Sequence, residues 1–280
     1  MFQEQGESVV LLCHILGISR ASYYKNRQRL ATPQEKQNKR ICAWIRYLHR
    51  KHKQKLGYRR MAMYINRHLG THYSRGYIRR LMGYLGLQSR IRRKRKHYRK
   101  VKPDVVAENI LNRDFCAIKP NQKWLTDVTE FSIPGDSRKL YLSPILDLYD
   151  NSIPAYNLSF RNNNQLVFEM FRMARKKYPD AKPLFHDDRG FQYTSRAFKK
   201  LLDEAGMVHS MSRPGRCIDN GPMEGFFGTL KAEMFYGMSF DHMDQLIEEI
   251  HNYMHYYQHE RWQEKLGCMA PEEFRRHTAQ

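Results

Sequence analysis

Three acidic residues stand in surroundings where an ordinary surface charge is not expected. Asp127 lies within the largely apolar segment Lys123–Phe131, Asp188 follows the apolar start of Leu184–Gly190, and 35 residues separate Asp188 from Glu224. A carboxylate in an apolar strand is costly unless a cation or a hydrogen-bond donor compensates it. Three carboxylates that meet in space suit hard cations, and two Mg²⁺ ions about 4 Å apart can activate a water and stabilise a leaving oxygen. The trio therefore predicts metal-dependent phosphoryl transfer, with two Mg²⁺ ions for which Mn²⁺ can substitute.

Other residues near the trio leave alternatives open. Lys231 is seven residues after Glu224 and projects from nearly the same helix face, where it could hold a phosphate. Asp187 competes with Asp188, and only one of them should face the site because neighbours in an extended segment point to opposite sides. Glu224 could instead be an acid that merely favours a helix N-terminus. His186 fits the core, or a supporting position, better than the site itself. The further acidic candidates are Asp147, Asp219 and Glu233.

The elements that must position these residues predict an α/β domain. We expect strands over 123–133, 140–148, 153–160, 183–186 and 208–211. Helices are expected over about 164–178, over 194–206, and from Pro222 after a cap by Asn220; the tail, 245–257 and 271–277, also has a helical pattern. Three strands, helix, strand, helix, strand, helix is the order of a ribonuclease-H-like domain. Strand ends are where sites form in open α/β sheets, which suits Asp188.

The charge of the chain points to a polyanionic partner. The net charge is +21, and residues 1–100 hold 26 Lys+Arg against 3 Asp+Glu, whereas the remaining 180 residues hold 23 against 25. A basic front portion on a nearly neutral body is typical of a protein that binds nucleic acid. The five cysteines are scattered without a CxxC pair, which argues against a zinc ribbon or a disulfide framework and for a reducing compartment. No apolar run approaches the length of a membrane span.

The basic portion has the pattern of two helix-turn-helix units. Residues 8–29 predict two short helices around Gly17, the second capped by Ser19, although a plain helical hairpin is equally compatible with this segment. Tyr58–Leu69 and a helix capped by Ser74 predict the second unit. The side chains expected to contact DNA are Arg20, Ser22, Lys25, Arg59, Arg60, Arg75, Arg79 and Arg80, together with Arg92, Arg93, Lys94 and Arg95 of the basic linker.

Several of these stretches resemble one known family. Trp124–Thr129, His186–Ser195 and Asp219–Lys231 resemble the integrase core of bacterial insertion-sequence transposases of the IS3 family, second-frame product. The segments 57–60, 256–261 and 270–274 are similar to that family too. The resemblance implies an enzyme of the DDE type, in which Asp127, Asp188 and Glu224 bind metal and Lys231 is the basic partner. Asp187 and Gly221 depart from the family pattern, which usually has Ser and a small residue such as Ala there.

The leading hypothesis is therefore a Mg²⁺-dependent DNA transposase that cuts a strand at the end of an element and joins the freed 3′-hydroxyl to another strand. The alternatives are a non-catalytic protein that occupies element ends and regulates the full-length enzyme, and a structure-selective nuclease. The expected partners are double-stranded DNA (terminal repeats and target), further copies of the chain on that DNA, and the upstream-frame product. We expect it in the bacterial cytoplasm, associated with the nucleoid. The expected domains are 1–30, 31–88 (both helical and DNA-binding), 89–118 (basic linker), 119–240 (catalytic core) and 241–280 (helical extension).

Overall fold

A six-stranded mixed sheet forms the centre of the molecule. The computed structural model describes residues 8–89 and 107–278. The strands are β1 (Lys123–Thr126), β2 (Thr129–Phe131), β3 (Leu140–Asp147), β4 (Tyr156–Ser159), β5 (Leu184–Asp187) and β6 (Val208–Met211). Their order is β2-β3-β1-β5-β6, and β4 also pairs with β3. The pairs β1–β5 and β5–β6 are parallel, whereas β3 runs antiparallel to β1, β2 and β4. The predicted ribonuclease-H-like α/β core is confirmed.

Helices cover both faces of this sheet. They are α6 (Asn164–Lys177), α7 (Arg196–Glu204), α8 (Gly221–Leu230) and α9 (Met243–His259), while α10 (Pro271–Thr278) packs against α9. Alternate residues of β1 point to opposite faces. Trp124 therefore packs with Phe171 of α6 and Phe198 of α7, and Leu125 packs with Phe226 of α8 and Ile250 of α9. This part of the chain is thus a three-layer arrangement in which the central strands β1, β3 and β5 are largely buried on both sides.

The described part of the basic portion, residues 8–89, is helical. Its helices are α1 (Val9–Ile15), α2 (Arg20–Gln28), α3 (Pro33–Lys51), α4 (Tyr58–Leu69) and α5 (Arg75–Tyr84). Thr32 and Glu35 form a reciprocal cap at the start of α3, and Ser74 caps α5. The helices α3, α4 and α5 share one apolar core, against which Trp262 of the C-terminal segment (residues 260–278, after α9) also packs. No helix in residues 8–89 or 107–278 is long and apolar enough to cross a bilayer.

The first strand differs from its prediction because it is divided at Asp127. Thr126 pairs with Ile145 and Thr129 pairs with Leu142, so the unbroken register puts Pro144 opposite Asp127. Ile145 N donates to Ala155 O on the β4 side, so the N–H of residue 144 would have pointed toward β1. Proline has no N–H to donate, and the ladder is interrupted at that point. The interruption lies at the residue predicted to bind metal.

Candidate active site

Asp127 and Asp188 lie side by side at the ends of two neighbouring parallel strands. The register of β1 and β5 pairs Trp124 with Phe185 and Leu125 with His186. Continued for two residues, this register reaches Asp127 and Asp188, each one residue beyond the end of its strand. Neighbouring strands are about 4.8 Å apart. The sheet therefore brings two acids that are 61 positions apart in sequence to the same edge, where both side chains are half-buried.

A cleft of about 230 Å³ opens over these two acids. Besides Asp127 and Asp188 it is lined by Val128, Glu130, Tyr141, Asn162, Gly190, Phe191, Gln192 and Tyr193. The hydroxyl of Tyr193 is fully buried and lies 3.0 Å from Thr126 Oγ1. Burial raises the pKa of the Tyr193 phenol well above its usual value, and the negative charges of Asp127 and Asp188 raise it further. One buried phenol thus interacts with both carboxylates, which supports their convergence.

The turn after β5 holds Asp188 in place. Gly190 N donates to Asp188 Oδ1 at 2.9 Å, and the amides of Tyr193 and Thr194 both donate to Gly190 O. A Cβ at Gly190 would lie 3.3 Å from Asp188 Oδ1 and 3.2 Å from the ring of Tyr193. The backbone therefore approaches closely at this glycine, and Asp188 lies against the peptide itself.

The helix α8 is attached at both ends to the segment that carries Asp127. Asn220 Nδ2 donates to Thr126 O at 3.0 Å, next to Asp127 in the chain. Lys231 Nζ donates to Glu130 O at 2.8 Å and lies 4.9 Å from the centre of the Phe131 ring. Asn220 occupies the N-cap position of α8 as expected, but its side chain makes this contact with Thr126 instead of bonding to the start of the helix. Both ends of α8 thus lie along β1 and β2.

Glu224 lies on this helix one turn after Asn220. It is half-buried, and within the described ranges its carboxylate forms no hydrogen bond or ion pair. It does not line the cleft over Asp127 and Asp188. Among the described residues, no three His, Cys, Asp or Glu side chains are arranged to hold a metal ion as they stand. The donor chemistry of the two cleft acids suits Mg²⁺, and Glu224 remains a predicted third ligand.

The competition between Asp187 and Asp188 is explained by the alternation of the strand. Asp187 is fully buried, accepts the amide of Arg189 at 3.0 Å, and lies 2.6 Å from His209 Nε2. Burial raises the pKa of Asp187.

His186 is also fully buried, with ring nitrogens 2.9 Å and 3.1 Å from the hydroxyls of Ser210 and Ser212. Burial lowers the pKa of His186 to about 4, so the ring is neutral at pH 7 and belongs to the core.

Each of the three remaining acidic candidates is bound to arginine. Asp147 pairs with Arg275, Asp219 pairs with Arg113 and Arg213, and Glu233 pairs with Arg60 and Arg261. All three acids are buried. The side-chain hydrogen bonds of Arg213 and Arg113 hold the pKa of Asp219 well below its usual range. The negative charge of each of these carboxylates is already compensated by arginine, whereas Glu224 forms no ion pair within the described ranges.

The residues expected to contact DNA fall into three groups. Seven of them are exposed, namely Arg20, Ser22, Lys25, Arg59, Arg75, Arg79 and Arg80. Arg60 is a correction, because it turns inward and forms an ion pair with buried Glu233 at 2.8 Å. Arg92, Arg93, Lys94 and Arg95 lie outside the described residues.

A second, larger cleft of about 1000 Å³ lies between α3 and α5, away from the acids. It is lined in part by Lys39, Arg46, Tyr77, Arg80 and Tyr84. Basic and aromatic side chains on one surface suit a nucleic-acid backbone. Lys39 and Arg46 were not among the residues that the sequence analysis expected to contact DNA. Their i, i+7 spacing on α3 was the available signal.

Comparisons with protein families and with related sequences agree with this architecture. A family model described as integrase core domain matches residues 117–217, a second integrase core domain model matches 224–278, and an HTH-like domain matches 36–95. The chain is 39% identical over 264 residues to the putative transposase InsK of insertion sequence element IS150 from Escherichia coli K12, covering 93% of this chain and 91% of that protein. It is 36% identical over 269 residues to the probable transposase of IS1353 from Shigella flexneri, covering 95% of this chain and 51% of that protein. A solved structure of the HTLV-2 integrase catalytic core domain with magnesium is 16% identical, with a TM-score of 0.45, and covers 57% of this chain and 99% of that one.

Proposed function

The chain belongs to the IS3 family of insertion-sequence transposases, and on this premise we propose that Asp127, Asp188 and Glu224 bind the divalent cations used for DNA cleavage and strand transfer. The observation that carries the proposal is the adjacent placement of Asp127 and Asp188 at the ends of two parallel strands in one cleft. Further support comes from α8, because its two ends are hydrogen-bonded to the β1–β2 segment and Glu224 lies between those ends. We propose two Mg²⁺ ions as the cofactor, with Mn²⁺ as a substitute.

The protein side chains divide the work as follows. Asp127, Asp188 and Glu224 would hold the cations, which when bound activate a water and stabilise the leaving oxygen. Lys231, half-buried beside the same segment, would hold a phosphate of the DNA. Gly190 N keeps Asp188 in place, so this acid needs little reorganisation when DNA enters. No covalent bond between enzyme and DNA is required.

The basic helices that precede the sheet are the proposed DNA-binding surface. The exposed basic residues of α2, α4 and α5, with Lys39 and Arg46 of α3, would bind the terminal repeats. The expected boundaries at 30, 88, 118 and 240 are kept as the proposed domain division. We propose that several copies act together on DNA in the bacterial cytoplasm, and that the upstream-frame product takes part.

The test is Mg²⁺-dependent cleavage and joining of a labelled duplex that carries the terminal repeat flanking the gene. The variants Asp127→Asn, Asp188→Asn and Glu224→Gln should each abolish cleavage and joining while binding of the duplex stays within about twofold of the unchanged protein. Full activity in any one variant would remove that residue from the trio. Binding without cleavage by the unchanged protein at any divalent cation concentration would instead favour a regulator of element ends.

A further inference from the structure

A buried ionic cluster joins three separate parts of the chain immediately after α8. Glu233 lies in the wide helical turn Lys231–Phe235 that continues α8. Its Oε1 is 2.8 Å from Arg60 Nη2 of α4 and 3.0 Å from Arg261 Nη2, while its Oε2 accepts Arg261 Nε and the Tyr253 hydroxyl, each at 3.0 Å. The carboxylate therefore binds Arg60 of the helical DNA-binding unit (α3, α4 and α5), Arg261 of the C-terminal segment and Tyr253 of α9.

The position of Glu233 in the chain gives this cluster a role that a surface ion pair could not have. Glu233 is two residues after Lys231 and nine after Glu224 on continuous helix. Lys231 contacts β2, whereas Glu233 contacts α4 and the C-terminal segment. Residues two apart on a helix point to nearly opposite sides. The end of α8 is consequently held from two sides, by the catalytic sheet and by the DNA-binding unit.

The charges of this cluster also indicate that it fixes the relative positions of the elements it joins more than it raises the stability of the fold. Burial by itself raises the pKa of Glu233, but the charges of Arg261 and Arg60 lower it below its usual value, so the group is ionised. A buried ion pair is often replaceable by apolar residues at no loss of stability, because desolvation offsets the attraction. Arg60 Nη1 is buried without a hydrogen-bond partner among the described residues. A cluster built at this cost fixes one relative placement of its partners.

We propose that Glu233 is a positioning residue, which together with Arg60 and Arg261 ties the end of α8 to α4 so that the seating of the DNA-binding unit sets the position of Glu224 and Lys231. This inference rests on the proposed function, since it concerns the same acids. It explains why Arg60, a basic residue on a DNA-binding helix, faces inward. It also gives the C-terminal segment a function, because Arg261 holds both oxygens of Glu233.

The experiment compares Arg60→Met and Glu233→Gln with a matched control. Glu249→Gln removes an acid from the same interface, where Glu249 is 3.7 Å from Lys53 at the exposed rim. For each full-length variant, duplex affinity without divalent cation, the single-turnover cleavage rate, and the Mg²⁺ concentration for half-maximal rate are measured. Arg60→Met leaves the Glu233–Arg261 pair intact, so it keeps the test decisive if Glu233→Gln does not fold, as judged by circular dichroism.

We expect Arg60→Met and Glu233→Gln to bind the duplex within about twofold of the unchanged protein, to cleave at least about tenfold more slowly, and to need at least about fivefold more Mg²⁺. The double variant should be little worse than either single one, because both break the same link. Unchanged Mg²⁺ dependence in Arg60→Met, or weakened duplex binding as its only defect, would overturn the inference while leaving the proposed function in place. Failure of the unchanged protein to cleave would overturn the proposed function, and the inference with it.

Discussion

A methyl group added at Gly190 should displace Asp188 although the substitution adds and removes no charged or polar group. In Gly190→Ala the new Cβ would lie 2.9 Å from Gln192 Oε1, 3.2 Å from Tyr193 Cδ2 and 3.3 Å from Asp188 Oδ1. The backbone of Gly190 does not have a positive φ, so the conflict is steric and not conformational. Three close contacts around one methyl group cannot all be relieved by a single rotamer change.

The neighbours differ in how far they can move. Tyr193 is 1% exposed and Gln192 is 3% exposed, and the amide of Gln192 is held by Asn162 Oδ1. Asp188 is half-buried at the cleft, so the displacement should fall mainly on its carboxylate. Overpacking of this kind typically costs about 1–3 kcal/mol of stability. A misplacement of about 1 Å at a catalytic group can cost about a hundredfold in rate. Shifts of a few tenths of an ångström should therefore slow cleavage by about tenfold or more.

The assay is single-turnover cleavage of the terminal-repeat duplex, combined with thermal unfolding. The matched control is Gly225→Ala, beside Glu224, where an added Cβ meets nothing within 4 Å. Alanine is favoured over glycine inside a helix by about 0.5–1 kcal/mol, so this control should be slightly more stable and cleave within about twofold of the unchanged protein. A folded Gly190→Ala protein that cleaves at the unchanged rate would refute the reasoning that the peptide at Gly190 positions Asp188.

Two further predictions concern buried groups outside the trio. The variant Asp187→Asn weakens the contact with His209. It should lower the free energy of unfolding by about 1–3 kcal/mol in a denaturant titration and leave the Mg²⁺ dependence of cleavage unchanged. A large rise in the Mg²⁺ concentration needed for cleavage would instead make Asp187 a metal ligand. Burial, followed by the charge of Lys51, lowers the pKa of His52 to about 4, below that of an unfolded histidine, so the unfolded chain binds the proton more tightly. The free energy of unfolding should therefore be unaffected by His52 above pH 6.5. It should fall by about 1–2 kcal/mol, after allowance for solvent screening, as the pH is lowered from 6.5 toward 4. The variant His52→Gln should lose less of its free energy of unfolding between pH 6.5 and pH 4 than the unchanged protein. An unaltered pH dependence would contradict the role given to His52.

Much of the catalytic region could be predicted from the sequence because its signals are local. Apolar runs bounded by turn residues predicted the sheet with β1 and β2 as one continuous strand, and Ser19, Ser74 and Ser195 cap helices as their types suggest. Strand alternation predicted that only one of Asp187 and Asp188 faces the cleft, and the burial of Asp187 identifies Asp188 as the one that does.

What the sequence could not give depends on partners distant in the chain. The break at Asp127 requires knowing that Pro144 stands opposite, which only the register of β1 and β3 supplies. The inward turn of Arg60 requires Glu233, 173 residues later, and the contact of Asn220 with Thr126 replaces a local cap with a tertiary bond. Local propensity favours the near partner, and tertiary packing overrides it where a buried group needs a distant one.

The binding of Mn²⁺ to the folded protein tests the central claim most directly. Calorimetric titration in the presence of the terminal-repeat duplex would compare the unchanged protein with Asp127→Asn, Asp188→Asn, Glu224→Gln and, as a control, Asp187→Asn. Loss of a supporting hydrogen bond alone can cost 10–100-fold in metal affinity, so each change in the trio should weaken Mn²⁺ binding by at least about tenfold, and the control should not. Undiminished Mn²⁺ binding in any of the three trio variants would contradict the claim that these acids share the cations.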